Sequence, residues 1–213
     1  MKLSKIAAAA LAATFLSTGV ALAADQGPWQ VRLRAVVVDP HDSAKISPIG
    51  GNTHHSTSVI PEMDISYFFN DNISTELVLG VSNHSGKAIG TALGTVDLGD
   101  VWLLPPTLTL QYHFAPDYVI NPYIGAGVNY TIFFNDDLPA GSPLLSIHHG
   151  NSFGPALQAG FDVKVNDPWF LNFDVKKVFV NTKATMDAGS LGIVKASVDL
   201  DPWLFGVGFG RRF

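Results

Sequence analysis

The chain is 213 residues long, with 13 basic and 18 acidic side chains, a formal charge of −5 and no cysteine. That balance lacks the clustered positive charge of a nucleic-acid surface, and it rules out a disulfide scaffold or thiol chemistry. Charged residues make up 15% of the sequence, against about 25% in an ordinary soluble domain, yet beyond residue 23 no apolar run approaches the ~20 residues of a spanning helix.

Residues 1–23, MKLSKIAAAALAATFLSTGVALA, have a basic start at Lys2 and Lys5, an Ala-rich apolar middle and a small-residue finish at Ala21-Leu22-Ala23. This is the pattern of a cleaved secretory signal peptide, which leaves residues 24–213 as one domain.

Eight segments then alternate apolar with polar or small residues at period two. In 29–38, Trp29, Val31, Leu33, Ala35 and Val37 oppose Gln30, Arg32 and Arg34. In 59–69, Met63, Ile65, Tyr67 and Phe69 oppose Glu62, Asp64 and Ser66. In 72–82, Ile73, Leu77, Leu79 and Val81 oppose Ser74, Glu76 and Gly80. In 101–114, Trp102, Leu104, Leu108, Leu110, Tyr112 and Phe114 oppose Thr107, Thr109, Gln111 and His113. Next, Ile124, Ala126, Val128, Tyr130 and Ile132 oppose Gly125, Gly127 and Asn129. Leu157, Ala159, Phe161 and Val163 oppose Gln158, Gly160, Asp162 and Lys164. Trp169, Leu171, Phe173 and Val175 oppose Asn172, Asp174 and Lys176. Finally, Trp203, Phe205, Val207, Phe209 and Phe213 oppose Gly206, Gly208, Gly210 and Arg212.

Alternation alone also fits a soluble sandwich or a lipocalin-like barrel. The face that carries charge decides. Rows of Trp, Tyr and Phe suit lipid, and the opposing charges balance if they meet inside: Arg32, Arg34, Lys164, Lys176 and Arg212 against Glu62, Asp64, Glu76, Asp162 and Asp174. Such a set predicts an ionic plug in a narrow lumen. Lys177 and Arg211 break the lipid-facing pattern only near strand ends, where a charge costs ~0–1 kcal/mol. Long gaps (39–58, 83–100, 134–151, 181–199) alternate with short turns (70–71, 115–119, 166–168), as outer loops alternate with periplasmic turns. In hydrocarbon only a sheet closed on itself satisfies its backbone groups. The expectation is an all-β, eight-stranded antiparallel up-and-down transmembrane barrel in the bacterial outer membrane.

The stretches LPPTLTLQYHF, NPYIGAGVNYTIFF, DISYFFNDNIS and DPWLFGVGFGRRF resemble the OmpW family of small outer-membrane barrels, and the likeness runs from about Trp29 to Phe213. The resemblance implies a narrow, largely apolar channel, uptake of small hydrophobic molecules and their release sideways through the wall. The terminal Phe213 resembles the signal read by the barrel-assembly machinery. That machinery, the surrounding lipids and lipopolysaccharide, and the hydrophobic solutes are the partners expected. The alternative is a non-conducting surface barrel acting through its loops in partner binding or envelope integrity.

Pro105 and Pro106 interrupt the fourth segment, where neither can donate to a ladder. Two readings stand. The prolines part the wall and leave neighbouring carbonyls unpaired, making a lateral opening with Pro105 toward the lumen, Pro106 outward and Leu103 and Leu104 as rim. Otherwise they mark only where the strand leaves the membrane. Val36, Val38, Leu103, Phe133 and Val178 add an apolar vestibule at the outer end of the lumen, or simply fill a narrow barrel. His41, His54, His55, His84, His148 and His149 fall in the expected outer loops. Adjacent histidines on extended chain point to opposite faces and no carboxylate spacing completes a metal site, so neither metal nor cofactor is expected. No nucleophile or metalloprotease motif occurs, and His113 reads as a lumen hydrogen-bonder.

Overall fold

Successive side chains of a strand point to opposite faces, so a strand can separate two media when its odd and even members suit different ones. The computed structural model describes residues 27–213 apart from positions 48, 93, 143, 190 and 191; the leader expected at 1–23 lies outside the described residues. Fifteen strands occur among them: β1 (Trp29–Asp39), β2 (Ser43–Ser47), β3 (Asn52–His55), β4 (Ser58–Phe68), β5 (Ile73–Gly80), β6 (Ser82–Thr91), β7 (Gly94–Leu104), β8 (Thr107–His113), β9 (Ile120–Asp137), β10 (Ser146–His149), β11 (Ser152–Asn166), β12 (Trp169–Val178), β13 (Asn181–Asp187), β14 (Ile193–Asp199) and β15 (Trp203–Arg212). Eight of these, β1, β4, β5, β8, β9, β11, β12 and β15, pair antiparallel in that order. β15 pairs back onto β1, with Arg212 opposite Gln30 and Trp203 opposite Asp39. The wall is the closed eight-stranded barrel that the alternation predicts.

Its polarity is also the predicted one. Arg32, Asp64, Glu76 and Asn172 are 0% exposed, whereas Trp29, Leu110 and Phe153 are 51%, 59% and 70% exposed. Trp29, Tyr67 and Phe69 pack edge to face at 4.9 and 5.4 Å, forming part of an aromatic girdle at the short-turn end. The two charges on the lipid face are held by aromatics as well: Arg211 lies between Trp169 and Phe213, and Lys177 between Trp203 and Phe179. At the 70–71 turn, Asn70 Oδ1 accepts from the backbone N–H groups of Asn72 and Ile73 at 2.9 and 2.8 Å, an Asx turn that explains the Asn-Asp-Asn sequence there.

The glycine row on β15 makes room for the ionic interior. Gly206, Gly208 and Gly210 lie opposite Val36, Arg34 and Arg32 of β1 and opposite Asp174, Asn172 and Phe170 of β12. A methyl group at Gly208 would sit 2.0 Å from the Leu33 carbonyl oxygen and 2.8 Å from Arg34 Cγ. The arginine stems therefore cross the lumen over bare backbone. Gly208→Ala is expected to cost about 1–3 kcal/mol, as forced overpacking does, read as a lower urea midpoint for unfolding from vesicles. An unchanged midpoint would show that the wall yields at no cost.

Beyond the wall the structure departs from expectation. The four long gaps are not irregular loops: they contain β2, β3, most of β6, much of β7, β10, β13 and β14. β10, β13, β14 and β2 form a separate four-stranded sheet, while β3, β6 and β7 continue the barrel sheet upward along β9. Between them lies an apolar interior that includes Ile46, Val96, Leu98, Ile147, Met186 and Val194. The physical reason is a reversal of polarity. Outside the membrane water surrounds the chain, so the apolar face turns inward in the ordinary way and Lys45, Lys183 and Lys195 stay exposed.

Candidate functional site: a lumen chamber beside a break in the ladder

The expected fourth strand is two strands. β9 runs unbroken through eighteen residues; β8 pairs with its lower part (Tyr123–Asn129), and β7 joins it from Ile132 upward. Between β7 and β8 stand Pro105 and Pro106. On the opposite side, β5 pairs with β8 as far as Val78 opposite Thr107, and pairing resumes between β6 and β7 with Ser82 opposite Leu103. Leu79, Gly80 and Val81 thus face Leu104, Pro105 and Pro106 without a ladder pair.

The break is one-sided, for the prolines' own carbonyls have donors. Tyr130 N–H donates to the Pro106 carbonyl at 3.0 Å. Asn129 Nδ2 donates to the Pro105 carbonyl at 3.2 Å, and Thr107 Oγ1 donates to it at 3.0 Å. Side chains and backbone of β8 and β9 supply what the β5–β6 edge does not, so neither proline carbonyl is without a donor.

Inside the break lies a chamber with about 750 Å³ of empty space, part of it open to the outside. Val38, Ile60, Val78, Leu103, Val178 and Leu204 give it apolar walls, and Gly80 and Pro105 border it at the break. Of the expected vestibule, Val38, Leu103 and Val178 line the chamber, while Val36 and Phe133 belong to the apolar cluster packed around it. Phe133 also stacks on His149 at 5.6 Å. Leu104 is half-buried beside the break.

The chamber floor is ionic. Lys176 Nζ contacts Glu62 Oε1 and Asp174 Oδ1, both at 3.1 Å. Arg34 reaches Asp64 at 2.7 Å, Glu62 at 2.8 Å, and Glu76 and Asp174 at 3.5 Å. Arg32 bonds to Glu76 and approaches Asp64 and Asp162 at 3.5 and 3.7 Å. Neutral partners tie three of the carboxylates down: Gln158 donates to Asp174 at 2.7 Å and Glu76 at 2.9 Å, Tyr123 OH to Asp174 at 2.7 Å, and Asn172 to Asp162 at 2.7 Å. Buried charges persist when paired and hydrogen-bonded in this way. Lys164 and Arg212, expected in the same set, lie at the periplasmic mouth, where Arg212 stacks over Phe68 at 4.1 Å and donates to the Gly27 carbonyl at 3.0 Å. His113 hydrogen-bonds Ser74 and Asn121 in the lumen, both at 3.2 Å.

Sequence reasoning missed Ile60, Val78 and Leu204, although the parity of their strands already points them inward. It also missed His55 and His84, which line the chamber. Neighbouring histidines do part as extended chain requires: His54 and His148 are exposed, His55 and His149 buried. Among the described residues no three His, Cys, Asp or Glu side chains gather as a metal-binding group.

Residues 25–213 match the family model described as OmpW family. The chain belongs to the OmpW family. Among its relatives, an uncharacterized outer-membrane protein, y4mB, of Sinorhizobium fredii is 46% identical over 96% of this chain and 95% of its own. The dibenzothiophene metabolism operon protein PahQ of Pseudomonas aeruginosa is 32% identical over 89% of this chain and 90% of its own. The crystal structure of the outer membrane protein OprG from Pseudomonas aeruginosa superposes with a TM-score of 0.82 at 32% identity, covering 88% of this chain and 96% of that one. The chain is an outer-membrane barrel.

Proposed function

We propose that this OmpW-family barrel takes up small hydrophobic molecules from outside and releases them sideways into the outer membrane through the break beside Pro105 and Pro106. The observation that carries the reading is the juxtaposition of three features: an apolar chamber, a closed ionic floor beneath it, and an unpaired stretch of wall at its side. A hydrophobic solute is stable in the chamber, unstable among the charges below, and stable again in hydrocarbon. Sideways release is the downhill path. The name of PahQ, tied to an operon for dibenzothiophene metabolism, is in keeping with an apolar cargo. In the same reading residues 1–23 direct export and are removed, the strand ending in Phe213 is recognised by the barrel-assembly machinery, and the outer rows rest against lipid and lipopolysaccharide.

The test is transfer of an apolar fluorescent tracer into vesicles whose outer leaflet is lipopolysaccharide. The barrel is expected to speed transfer without passing small ions. Equal rates with and without protein would sink this reading in favour of a non-conducting surface barrel. Gly80 gives a finer probe, since a methyl group there meets nothing nearer than Ile60 Cδ1 at 3.5 Å. Gly80→Leu therefore has room for its first carbon and directs the rest of its side chain into the chamber beside the break, and it is expected to slow transfer severalfold.

A further inference from the structure

Most of the polar groups that face the chamber share one property: their protons are already committed. His55 Nδ1 lies 3.1 Å from Asp42 Oδ1, and the same carboxylate accepts the His55 backbone N–H. A carboxylate can only accept here, so Nδ1 carries a ring proton. His84 Nδ1 lies 2.7 Å from the Ser56 carbonyl, which likewise places a proton on Nδ1. Neither Nε2 has a hydrogen-bond partner among the described residues. Both rings are buried, at 6% and 3% exposure, and both border the chamber.

The two threonine hydroxyls behave likewise, whereas Ser82 Oγ, which also lines the chamber, has no partner among the described residues. Thr107 Oγ1 gives its proton to the Pro105 carbonyl at 3.0 Å, and Thr131 Oγ1 gives its own to Asn129 Oδ1 at 2.7 Å. The one cation among the residues that line the chamber, Lys176, is held by Glu62 and Asp174. Burial pushes the His84 ring below the ordinary imidazole range, against the opposing pulls of the Ser56 carbonyl and Asp42. The ring is therefore neutral at pH 7. His55 also borders the second apolar cavity above, lined by Ile46, Val96, Leu98, Ile147 and Met186 among others, so it stands where the two spaces meet.

We infer that His55 and His84 form a hydrogen-bond-accepting subsite in an otherwise apolar passage, selecting hydrophobic molecules that carry a donor group, such as phenols and other hydroxylated hydrocarbons. The inference rests on the reading of the chamber as a passage for apolar solutes and names the class of solute. An acceptor at the wall of an apolar chamber gains a hydrogen bond from a hydroxylated solute and none from its ether.

The test compares 1-naphthol with 1-methoxynaphthalene, which share ring and oxygen but not the donor proton. Equilibrium binding to the full barrel in lipid nanodiscs is measured with partition into empty nanodiscs subtracted. Naphthol is expected to bind about fivefold more tightly, the worth of one hydrogen bond. His84→Phe and His55→Leu are each expected to lower that ratio, and together to bring it to about one. In the wild-type protein, side-chain ¹⁵N spectra are expected to show both rings protonated at Nδ1, with Nε2 signals that move on adding naphthol and not on adding the ether. This measurement needs no variant to fold. Equal binding of the two probes, or an Nε2-protonated ring, overturns the subsite and leaves the passage standing. Binding of neither probe overturns both.

Discussion

Replacing Pro105 with Thr and Pro106 with Val is expected to bring transfer of an apolar tracer down to near the protein-free rate while the barrel stays folded. The ladder keeps one register across the break, with Val78 opposite Thr107 below it and Ser82 opposite Leu103 above it. Gly80 is therefore already in line with position 105, and closure needs no slip of either strand. The two backbone groups of one strand residue point toward the same neighbour. Because the Pro106 carbonyl accepts from Tyr130 of β9, a regular strand through the break would aim position 105 at the β5–β6 edge, releasing its carbonyl from Asn129 and Thr107. Pro105→Thr alone is accordingly expected to slow transfer more than Pro106→Val alone. Thr at 105 places a hydroxyl toward the lumen beside Thr107, and Val at 106 places an apolar branch toward lipid. Each restored backbone bond contributes about 0.5–1.5 kcal/mol, so the urea midpoint is expected to rise or hold. Unchanged transfer by a folded double variant would falsify lateral release at this site.

How far the sequence reveals this site follows from which medium each segment faces. In the wall, a bilayer outside and a crowded ionic lumen inside impose opposite demands on alternate residues. Arg32, Arg34, Glu62, Asp64, Glu76 and Asp174 could therefore be placed inward by parity alone. The proline pair is legible for a related reason, since a closed sheet has no free edge on which to hide missing donors. The extension above the wall is different. TKATMD in β13 and IVKASVD in β14 alternate small or aliphatic residues with Lys, Thr and Ser, which suits a water-facing sheet but lacks the aromatic contrast of the lipid-facing strands. Read as gaps, these stretches had no parity, and His55 and His84 had no direction. Their roles depend on Asp42 and on the Ser56 carbonyl, partners thirteen and twenty-eight residues away along the chain. Likewise, only the tertiary structure shows that Asn129 and Thr107 supply the Pro105 carbonyl.

Arg34→Met is expected to destabilise the barrel by about 3–5 kcal/mol, the cost of removing one partner from a buried ionic set. The size follows from the balance of enclosed charge. Arg32, Arg34 and Lys176 are the cations within the network, and they face Glu62, Asp64, Glu76, Asp162 and Asp174. Cations are the scarce member, and Arg34 alone touches four of the carboxylates. Without it Asp64 keeps only the Arg32 contact at 3.5 Å. Removing a carboxylate works the other way: Glu62→Gln keeps an acceptor for Lys176, lowers the anionic excess, and is expected to move the urea midpoint little. The same imbalance has a functional reading. The floor confines an apolar solute to the chamber because its charges are locked to one another. A floor with surplus carboxylates is expected to admit water and cations toward the mouth at Lys164 and Arg212, raising single-channel conductance in a planar bilayer while tracer transfer into the membrane does not rise. If Arg34→Met left both the midpoint and the conductance unchanged, the floor would have no part in keeping the lumen shut, and the chamber would need some other reason to empty sideways.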